Sequence, residues 1–306
     1  MEDKLLEKSY KEKIIRSPYL LLVPAFLFYL IFWFVPVVSS LYESFTSSSG
    51  QISLNNFILV FQDSLFLDAF INTLVFALLS LILQFALALS IAVLVNQNFR
   101  GSKLFLFIVL IPMALPPSAI GILWNTGLVE SGWINSFLVT TGLQGLLEFL
   151  GILESIRLWK AVSGLEAVMT LILIDTWTVM PSIMIIILAG LQNFNEEYRE
   201  AAQIFGATRW QAFKDVVIPI IKPSIITALL LRLISGLQVW LIGVMIFGFN
   251  NVPFLVERIV YYTDKVRTAT NSYKLANAYS IFTLALVFTV AFLFLRVTGE
   301  KKGGYN

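Results

Sequence analysis

The sequence NEEYREAAQIFGATRWQAFKDVVIPIIKP, residues 195–223, is a polar stretch in a chain that is otherwise mostly apolar. It carries four basic and four acidic side chains and lies between two long apolar segments. Asn195 is a favourable N-cap residue, and Glu196 and Glu197 follow in the first turn, where the helix dipole stabilises carboxylates. The stretch therefore predicts a pair of short amphipathic helices at a membrane surface, and we expect a partner protein to cover them.

Apolar residues, a glycine and two prolines give this stretch its predicted shape. Gly206 is expected to let another surface approach the backbone. Pro219 and Pro223 are predicted to mark the turn into the next apolar segment. Helical spacing predicts one apolar face, which consists of Tyr198, Ala201, Ala202, Phe205 and Phe213.

Composition independently indicates an all-α integral membrane protein. Of the 306 residues, 58% are hydrophobic and 13% are charged, whereas about a quarter of a typical soluble domain is charged. The net charge of +2 is small and the basic residues form no patch, so no nucleic-acid partner is expected. The absence of Cys and His excludes disulfides, thiolate or imidazole metal sites and Ser-His-Asp chemistry. We therefore expect no metal, no catalytic residues and no cofactor bound by this chain.

Six segments are long enough to cross the membrane lipid, which needs about 20 apolar residues per helix. They are Tyr19–Leu41, Ala69–Val95, Lys103–Leu128, Glu166–Leu191, Ser224–Phe247 and Leu275–Val297. Six crossings place both termini on one side. That side carries fourteen Lys and Arg residues and the other side six, so the positive-inside rule predicts that both termini and the polar stretch are cytoplasmic.

The domain organisation follows from these spans. Residues 1–17 are predicted to be a cytoplasmic lead-in, either helical or a solvated tail, residues 18–298 a transmembrane domain, and residues 299–306 a cytoplasmic tail. Residues 192–223 form a cytoplasmic loop within the transmembrane domain. On the outer side, residues 129–163 suggest an interfacial helix that Gly151 interrupts, and residues 250–274 are either a solvated linker or a docking surface for another protein.

Prolines and ionisable residues inside the spans point to a path for a solute. Three prolines, Pro112, Pro116 and Pro117, are predicted to break the third span next to protein or a water-filled cavity. Asp175 in the fourth span and Arg232 in the fifth cost several kcal/mol at such depth unless they find a partner or water. We hypothesise that both face an inner cavity and pair with each other; a purely structural ion pair is the alternative.

The polar stretch closely resembles the EAA loop of ABC importer permeases. The resemblance rests on Glu200-Ala201-Ala202, on Gly206-Ala207 and on Ile218-Pro219, and it implies the type I importer permease fold. It also implies that the loop docks on an ATP-hydrolysing subunit through Glu200, Ala201, Ala202, Phe205, Gly206, Ala207 and Pro219. A cytoplasmic helix without a partner is the plain alternative. The chain departs from the family pattern at Phe205, where many members have Asp, and at residues 247–251, where the usual Gly-Gly-Pro is missing.

Shorter motifs resemble the carbohydrate-uptake branch of that family, the relatives of the maltose and glycerol-phosphate permeases. They are GWIN at 132–135, DTW at 175–177 and AGLQ at 189–192. The resemblance places solute contacts on the helices before and after the loop. With the unusual polar residues of both spans, the predicted substrate path comprises Asp175, Thr176, Trp177, Thr178, Val179, Ser182, Arg232, Ser235, Gly236, Gln238 and Val239. Thr, Ser, Gln and Trp side chains supply the hydrogen bonds and aromatic faces that a sugar site needs.

The resemblance also implies the partners of this chain. They are a second homologous permease, two ATP-binding subunits that carry ATP and Mg, an extracellular or periplasmic substrate-binding protein, and membrane lipid. The sequence contains no phosphate-binding loop, so ATP hydrolysis is expected on the separate subunits. An importer of polyamines, phosphate esters or another small polar solute remains open, and Arg232 would suit an anionic group among these. A self-contained secondary transporter or channel is a further alternative, and an integral membrane enzyme is disfavoured because no paired catalytic motif occurs.

Overall fold

The computed structural model describes residues 18–47, 49–151, 159, 162–264 and 272–299. The predicted lead-in, residues 1–17, the tail beyond Gly299 and residues 152–158 of the expected interfacial helix lie outside the described residues. In chain order the helices are α1 (Pro18–Tyr29), α2 (Val35–Ser44), α3 (Asn55–Gln62), α4 (Phe66–Asn96), α5 (Ser102–Leu110), α6 (Pro117–Gly127), α7 (Trp133–Thr140), α8 (Leu143–Phe149), α9 (Gly164–Gln192), α10 (Glu196–Ile204), α11 (Arg209–Ala212), α12 (Ile218–Gly236), α13 (Leu241–Phe247), α14 (Leu255–Asp264) and α15 (Ser272–Thr298).

Several helices join into longer spans. Leu30–Phe34 links α1 to α2 and Phe213–Val217 links α11 to α12, both as π-helical turns, and the 3-10 turn Ile111–Ala114 extends α5. Five segments of the described chain are long and apolar enough to cross a membrane, namely Leu20–Ser44, Phe66–Asn96, Gly164–Gln192, Arg209–Gly236 and Ser272–Thr298. A sixth span results if the pair Ser102–Ala114 and Pro117–Gly127, bent by 94°, is counted as one. The predicted all-α fold is confirmed, and so is the proline break.

The predicted fifth span, Ser224–Phe247, is wrong at both ends. Its helix begins at Arg209 and ends at Gly236, and α13 is a separate helix after a break. Pro219 lies in the first turn of α12, where a missing N–H costs little, and Pro223 lies inside the helix. Neither proline marks a turn, so the polar loop continues directly into the span.

The bundle is built around α4 and α9. The buried residues of α4 recur every three or four positions and are mostly small, namely Ala69, Thr73, Phe76, Ala77, Ser80, Gln84, Ala88, Ala92 and Val95. Small side chains on one face let a second helix approach closely, which is how helices pack in lipid, where the hydrophobic effect does not drive association. Half of the most apolar window of α9 is buried, against none in the first span. The α9 helix is therefore the central helix of this chain.

A buried polar network ties α14 to the turn between α3 and α4 and to α15. The Arg258 guanidinium donates to Asp63 Oδ2 from Nη2 at 2.9 Å and from Nε at 3.1 Å. The same carboxylate oxygen accepts the hydroxyls of Tyr279 at 2.6 Å and Tyr262 at 2.9 Å. Glu257, which is also buried, accepts the amide of Asn250 at 3.0 Å. The interpretation of residues 250–274 as a solvated linker is thus wrong for the described residues of that segment. It failed because the charged residues of an exposed linker and those of a buried network look alike in sequence.

The pKa values of the two carboxylates of this network are shifted in opposite directions. Burial by itself raises the pKa of Asp63, but hydrogen bonds from Tyr279, the Leu65 amide and Tyr262, together with the charge of Arg258, outweigh burial and hold that pKa below its ordinary value. Burial raises the pKa of Glu257 above its ordinary value, because fewer favourable contacts offset it. Ionised Asp63 is therefore stabilised in the folded protein, whereas ionised Glu257 is disfavoured.

We expect Asp63→Asn to lower the stability of the folded chain by about 3–5 kcal/mol at neutral pH, because it leaves Arg258 buried without a counter-charge. Since folding lowers the pKa of Asp63, its stabilisation is complete above the ordinary aspartate pKa of about 3.9 and is lost as the pH falls through the lower folded value. The difference between variant and wild type should therefore shrink in strong acid. Thermal unfolding in detergent across pH measures it.

Glu257→Gln is the matched control for this prediction. The amide keeps an oxygen that accepts the Asn250 N–H, and the neutral side chain avoids the cost of ionising a buried carboxylate, so its unfolding temperature should stay close to that of the wild type at pH 7. Equal unfolding temperatures for Asp63→Asn and wild type at pH 7 would show that the network does not hold α14 against its neighbours.

Candidate solute cavity and coupling loop

An ion pair between α9 and α12 lies at the centre of the bundle. Arg232 Nη2 donates to Asp175 Oδ2 at 2.5 Å. The two residues are only 5% and 8% exposed. The hypothesis that they pair is confirmed, and it explains how two ionisable groups are tolerated at this depth.

The α4 helix completes the polar cluster from the third side. Arg232 Nη2 also donates to Ser80 Oγ at 2.7 Å, and Gln84 Nε2 donates to Asp175 Oδ2 at 2.7 Å. The guanidinium lies 5.7 Å from the centre of the Phe76 ring, within the range of a cation–π contact. Three helices thus meet at one charged pair. Sequence reasoning did not single out Ser80 and Gln84, although polar residues on the small-residue face of an apolar span are a usable signal.

A cavity of about 510 Å³ opens beside this cluster. Eight of the predicted path residues line it, namely Asp175, Thr178, Val179, Ser182, Arg232, Ser235, Gln238 and Val239. The α9 residues among them recur at positions i, i+3, i+4 and i+7, so they share one helix face. The volume of the cavity is within the usual range for small-molecule sites, about 300–1,000 Å³.

Sequence reasoning missed the residues that line the opposite wall. Met113, Leu115, Pro117 and Ile120 come from the broken α5–α6 span, and Trp240, Leu241 and Ile242 come from the break before α13 and its first turn. The prolines did predict that the broken span borders a cavity, as is common for interrupted helices in transporters. Which side chains would face the cavity depends on the 94° bend, which the prolines alone do not specify.

Three predicted path residues lie away from the cavity. Thr176 is buried, donates to the Ile172 carbonyl at 2.7 Å and lies on the α4 side of α9. Trp177 packs edge-on against Trp124, with ring centres 5.8 Å apart. Gly236 packs against α4, where an added Cβ would lie 3.3 Å from Ala77 Cα. The DTW motif therefore contributes only Asp175 to the cavity, because consecutive residues of a helix point in different directions.

The EAA-like loop forms two short helices at the other end of α9. Asn195 caps α10, since its side chain accepts the Glu197 N–H at 3.0 Å, as predicted. A capping box between Thr208 and Gln211 starts α11. Gly206, between the two helices, has a φ of +92°, which is the left-handed conformation that glycine adopts at little cost. No described atom lies within 4 Å of the Cβ that a side chain there would carry, so Gly206 makes no close approach within this chain.

Large apolar side chains at the loop surface have no cover in this chain. Phe205 is 92% exposed, Ile204 is 84% exposed and Trp210 is 69% exposed. The prediction of one continuous apolar face is wrong, because α10 ends at Ile204 and the positive φ of Gly206 turns the chain before α11 begins. Of the predicted coupling residues, Glu200, Ala201, Phe205, Gly206 and Pro219 are exposed, and Ala202 and Ala207 are half-buried.

A bundle of apolar spans around a mid-membrane cavity, with an exposed helical loop on one side, defines the membrane component of a transporter. The chain belongs to the family described as Binding-protein-dependent transport system inner membrane component, whose model matches residues 84–299. It is therefore a multi-pass inner membrane transport component, in agreement with the resemblance in its EAA-like loop.

Relatives with curated names place the family match in context. The chain is 27% identical to the trehalose/maltose transport system permease protein MalF of Thermococcus litoralis, over 96% of this chain and 98% of that protein. It is 30% identical to the sn-glycerol-3-phosphate transport system permease protein UgpA of Yersinia pestis, over 71% and 72% of the two chains. A bacterial ABC transporter involved in the import of the acidic polysaccharide alginate shares the fold, with a TM-score of 0.77 at 22% identity over 98% and 99% of the chains.

We expect Gly236→Ala to destabilise the bundle by about 1–3 kcal/mol, because the added methyl group presses on the α4 backbone at a well-packed crossing. Thermal unfolding in detergent measures the effect. Gly145→Ala is the control, since no atom lies within 4 Å of its added Cβ and alanine favours a helix. If both variants unfold at the wild-type temperature, close packing at Gly236 is not required.

Proposed function

We propose that this chain is one of two permease subunits of an ATP-driven importer that carries a saccharide across the cytoplasmic membrane. A binding protein delivers the solute at the outer face, the cavity beside Asp175 and Arg232 holds it, and separate ATPase subunits with bound ATP and Mg drive its release inward. The permease domain comprises residues 18–298. The observation that carries the proposal is that one continuous helix, Arg209–Gly236, connects this cavity to the loop that exposes large apolar side chains.

That helix supplies the mechanical link. Residues Arg209–Gly236 form one span of 28 residues, which corresponds to about 42 Å of helix. Its first turns belong to the coupling loop and its last turns carry Arg232 and Ser235, which line the cavity. A displacement of the loop is therefore transmitted along a single rigid element to the solute site, which suits alternating access by rigid-body motion.

The exposed loop residues support docking on an ATPase. Phe205 and Ile204 lie in a polar loop next to Glu196, Glu197 and Glu200, and such a loop is poorly suited to lipid. In water, the two apolar side chains would stay exposed unless another protein covered them. Exposed aromatic residues are frequent anchors of protein interfaces. A self-contained secondary transporter has no use for such a surface.

The lining of the cavity supports a saccharide. Thr178, Ser182, Ser235 and Gln238 provide hydrogen-bonding groups, and Trp240 provides an aromatic face. The relatives named for trehalose and maltose and for sn-glycerol-3-phosphate, and the alginate importer that shares the fold, transport sugars or a compound of similar polarity. A second permease would close the open side of the cavity.

We also propose that both termini and the coupling loop are cytoplasmic, on the basis of the positive-inside rule. The chain has no cysteine, so single cysteines report topology directly. Ile52→Cys should react with a membrane-impermeant maleimide in intact cells, whereas Gln203→Cys should react only after permeabilisation; both positions are exposed. The reverse pattern would invert the orientation.

Co-purification of the tagged chain from mild detergent, from a host that expresses its natural genomic neighbours, tests the assembly by native mass spectrometry. A complex with a second permease and two ATPase copies is expected. Phe205→Ala should weaken ATPase association at least about tenfold, because an aromatic anchor of an interface is worth about 2–4 kcal/mol and about 1.4 kcal/mol is tenfold. The chain itself should unfold at the wild-type temperature, since Phe205 is 92% exposed.

Ile52→Ala provides the control for Phe205→Ala, because Ile52 is 84% exposed on the opposite face and its loss should leave ATPase association unchanged.

Gly206→Val should uncouple uptake from ATP hydrolysis, because a branched residue at a φ of +92° forces the loop to rearrange. Unchanged ATP-driven uptake in Gly206→Val, or a stable chain that purifies alone, would favour a self-contained transporter.

A further inference from the structure

The charge of the solute is not decided by the relatives of this chain. One relative is named for trehalose and maltose, which are uncharged, and another for a phosphate ester. The importer that shares the fold carries an acidic polysaccharide. The preference of this protein has to come from its own cavity.

The charges in that cavity cancel. Among the described residues that line it, Asp175 and Arg232 are the charged ones. Both terminal nitrogens of the guanidinium are engaged, Nη2 with Asp175 Oδ2 at 2.5 Å and Ser80 Oγ at 2.7 Å, and Nη1 with Ser235 Oγ at 3.3 Å. An anion that approached Arg232 would also meet the Asp175 carboxylate, in a buried site where water screens neither charge.

The neutral lining points to the same preference. The Thr178 hydroxyl donates to the Ile174 carbonyl at 3.0 Å, and the Ser182 hydroxyl donates to the Val179 carbonyl at 2.7 Å. A hydroxyl has a single hydrogen, so each of these oxygens faces the cavity as an acceptor. Acceptors bind the O–H groups of a neutral sugar, whereas carboxylates and phosphates carry acceptor oxygens themselves and find no donor on these two hydroxyls.

We propose that Asp175 is a specificity-determining residue, which masks Arg232 so that this half of the path accepts uncharged saccharides and rejects uronates and sugar phosphates. The inference rests on the proposed function, since it concerns the solute of that same cavity. It assigns the ion pair a role beyond holding helices together: removal of the carboxylate exposes a buried positive charge to the solute.

The test measures solute binding to the assembled transporter in nanodiscs by saturation-transfer difference NMR. The binding protein is omitted, so that its own selectivity does not contribute. Two pairs of probes differ in charge: trehalose with trehalose 6-phosphate, and maltose with digalacturonate. The variants are Asp175→Asn and the double variant Asp175→Asn/Arg232→Gln. Asp68→Asn is the matched control, because it makes the same change at an exposed position outside the cavity.

In the wild type and in Asp68→Asn, the neutral member of each pair should bind at least about tenfold better than the anionic one. In Asp175→Asn this ratio should fall at least about tenfold, because the uncovered guanidinium of Arg232 attracts the anionic probe. The double variant should return to the neutral preference. If Asp175→Asn does not assemble, the wild type and the double variant test the inference by themselves. Neither of them should bind the anionic probes preferentially.

Two results would overturn the inference alone: wild-type protein that binds trehalose 6-phosphate as well as trehalose, or an assembled Asp175→Asn variant with an unchanged ratio while the neutral probes still bind. A different result would remove the proposed saccharide function together with the inference. In that case the complex assembles with its ATPases but binds none of the four probes in any variant.

Discussion

The buried contact between the Arg232 guanidinium and the Asp175 carboxylate sets the geometry of the whole bundle. Either group alone in the middle of an apolar bundle would cost several kcal/mol, so each requires the other. The requirement fixes α12 against α9, and the hydrogen bonds of Ser80 and Gln84 bring α4 to the same point. Small residues along α4 make that approach possible, and the cavity occupies the space beside the pair that the broken span leaves open.

A second polar network repeats this arrangement around α14. Asp63 and Arg258 hold α14 against the turn between α3 and α4 and against α15, through contacts that also involve two tyrosines. Apolar side chains fill the bundle between and below the two polar clusters, with one core around Leu171 and Phe254 and another around Met184 and Ile187. Polar contacts therefore specify which helices meet, since in lipid apolar packing alone distinguishes poorly between neighbours.

The end of the bundle that carries the coupling loop is built differently. The coupling loop has well-formed caps at Asn195 and Thr208, but its largest apolar side chains are uncovered. A surface with capped helices and exposed apolar side chains suits a contact with another subunit. Its continuity with α12 means that the same helix presents one end to that subunit and the other to the cavity. Structure and family membership thus agree on a membrane component that works as part of a larger assembly.

The sequence by itself determined the membrane class, five of the spans to within a few residues, the break at Pro112, Pro116 and Pro117, and the cap at Asn195. These features follow from local hydropathy and backbone chemistry, which need no knowledge of neighbours. The need of Asp175 and Arg232 for partners was also readable, because an isolated charge is not tolerated at that depth. Most of the predicted path residues line the cavity, since four of them share one face of α9 and Arg232 and Ser235 lie one turn apart on α12.

Tertiary structure alone decided the rest. Whether Gly236 faces a solute or a neighbouring helix depends on where α4 crosses, and the start of the fifth span depends on a π-helical turn that carries the coupling loop into the membrane. Arg258 resembles a solvated charge in the sequence, yet it is buried because Asp63, far away in the chain, reaches it. The direction of a side chain is set by contacts between distant residues, and these form only when the helices pack.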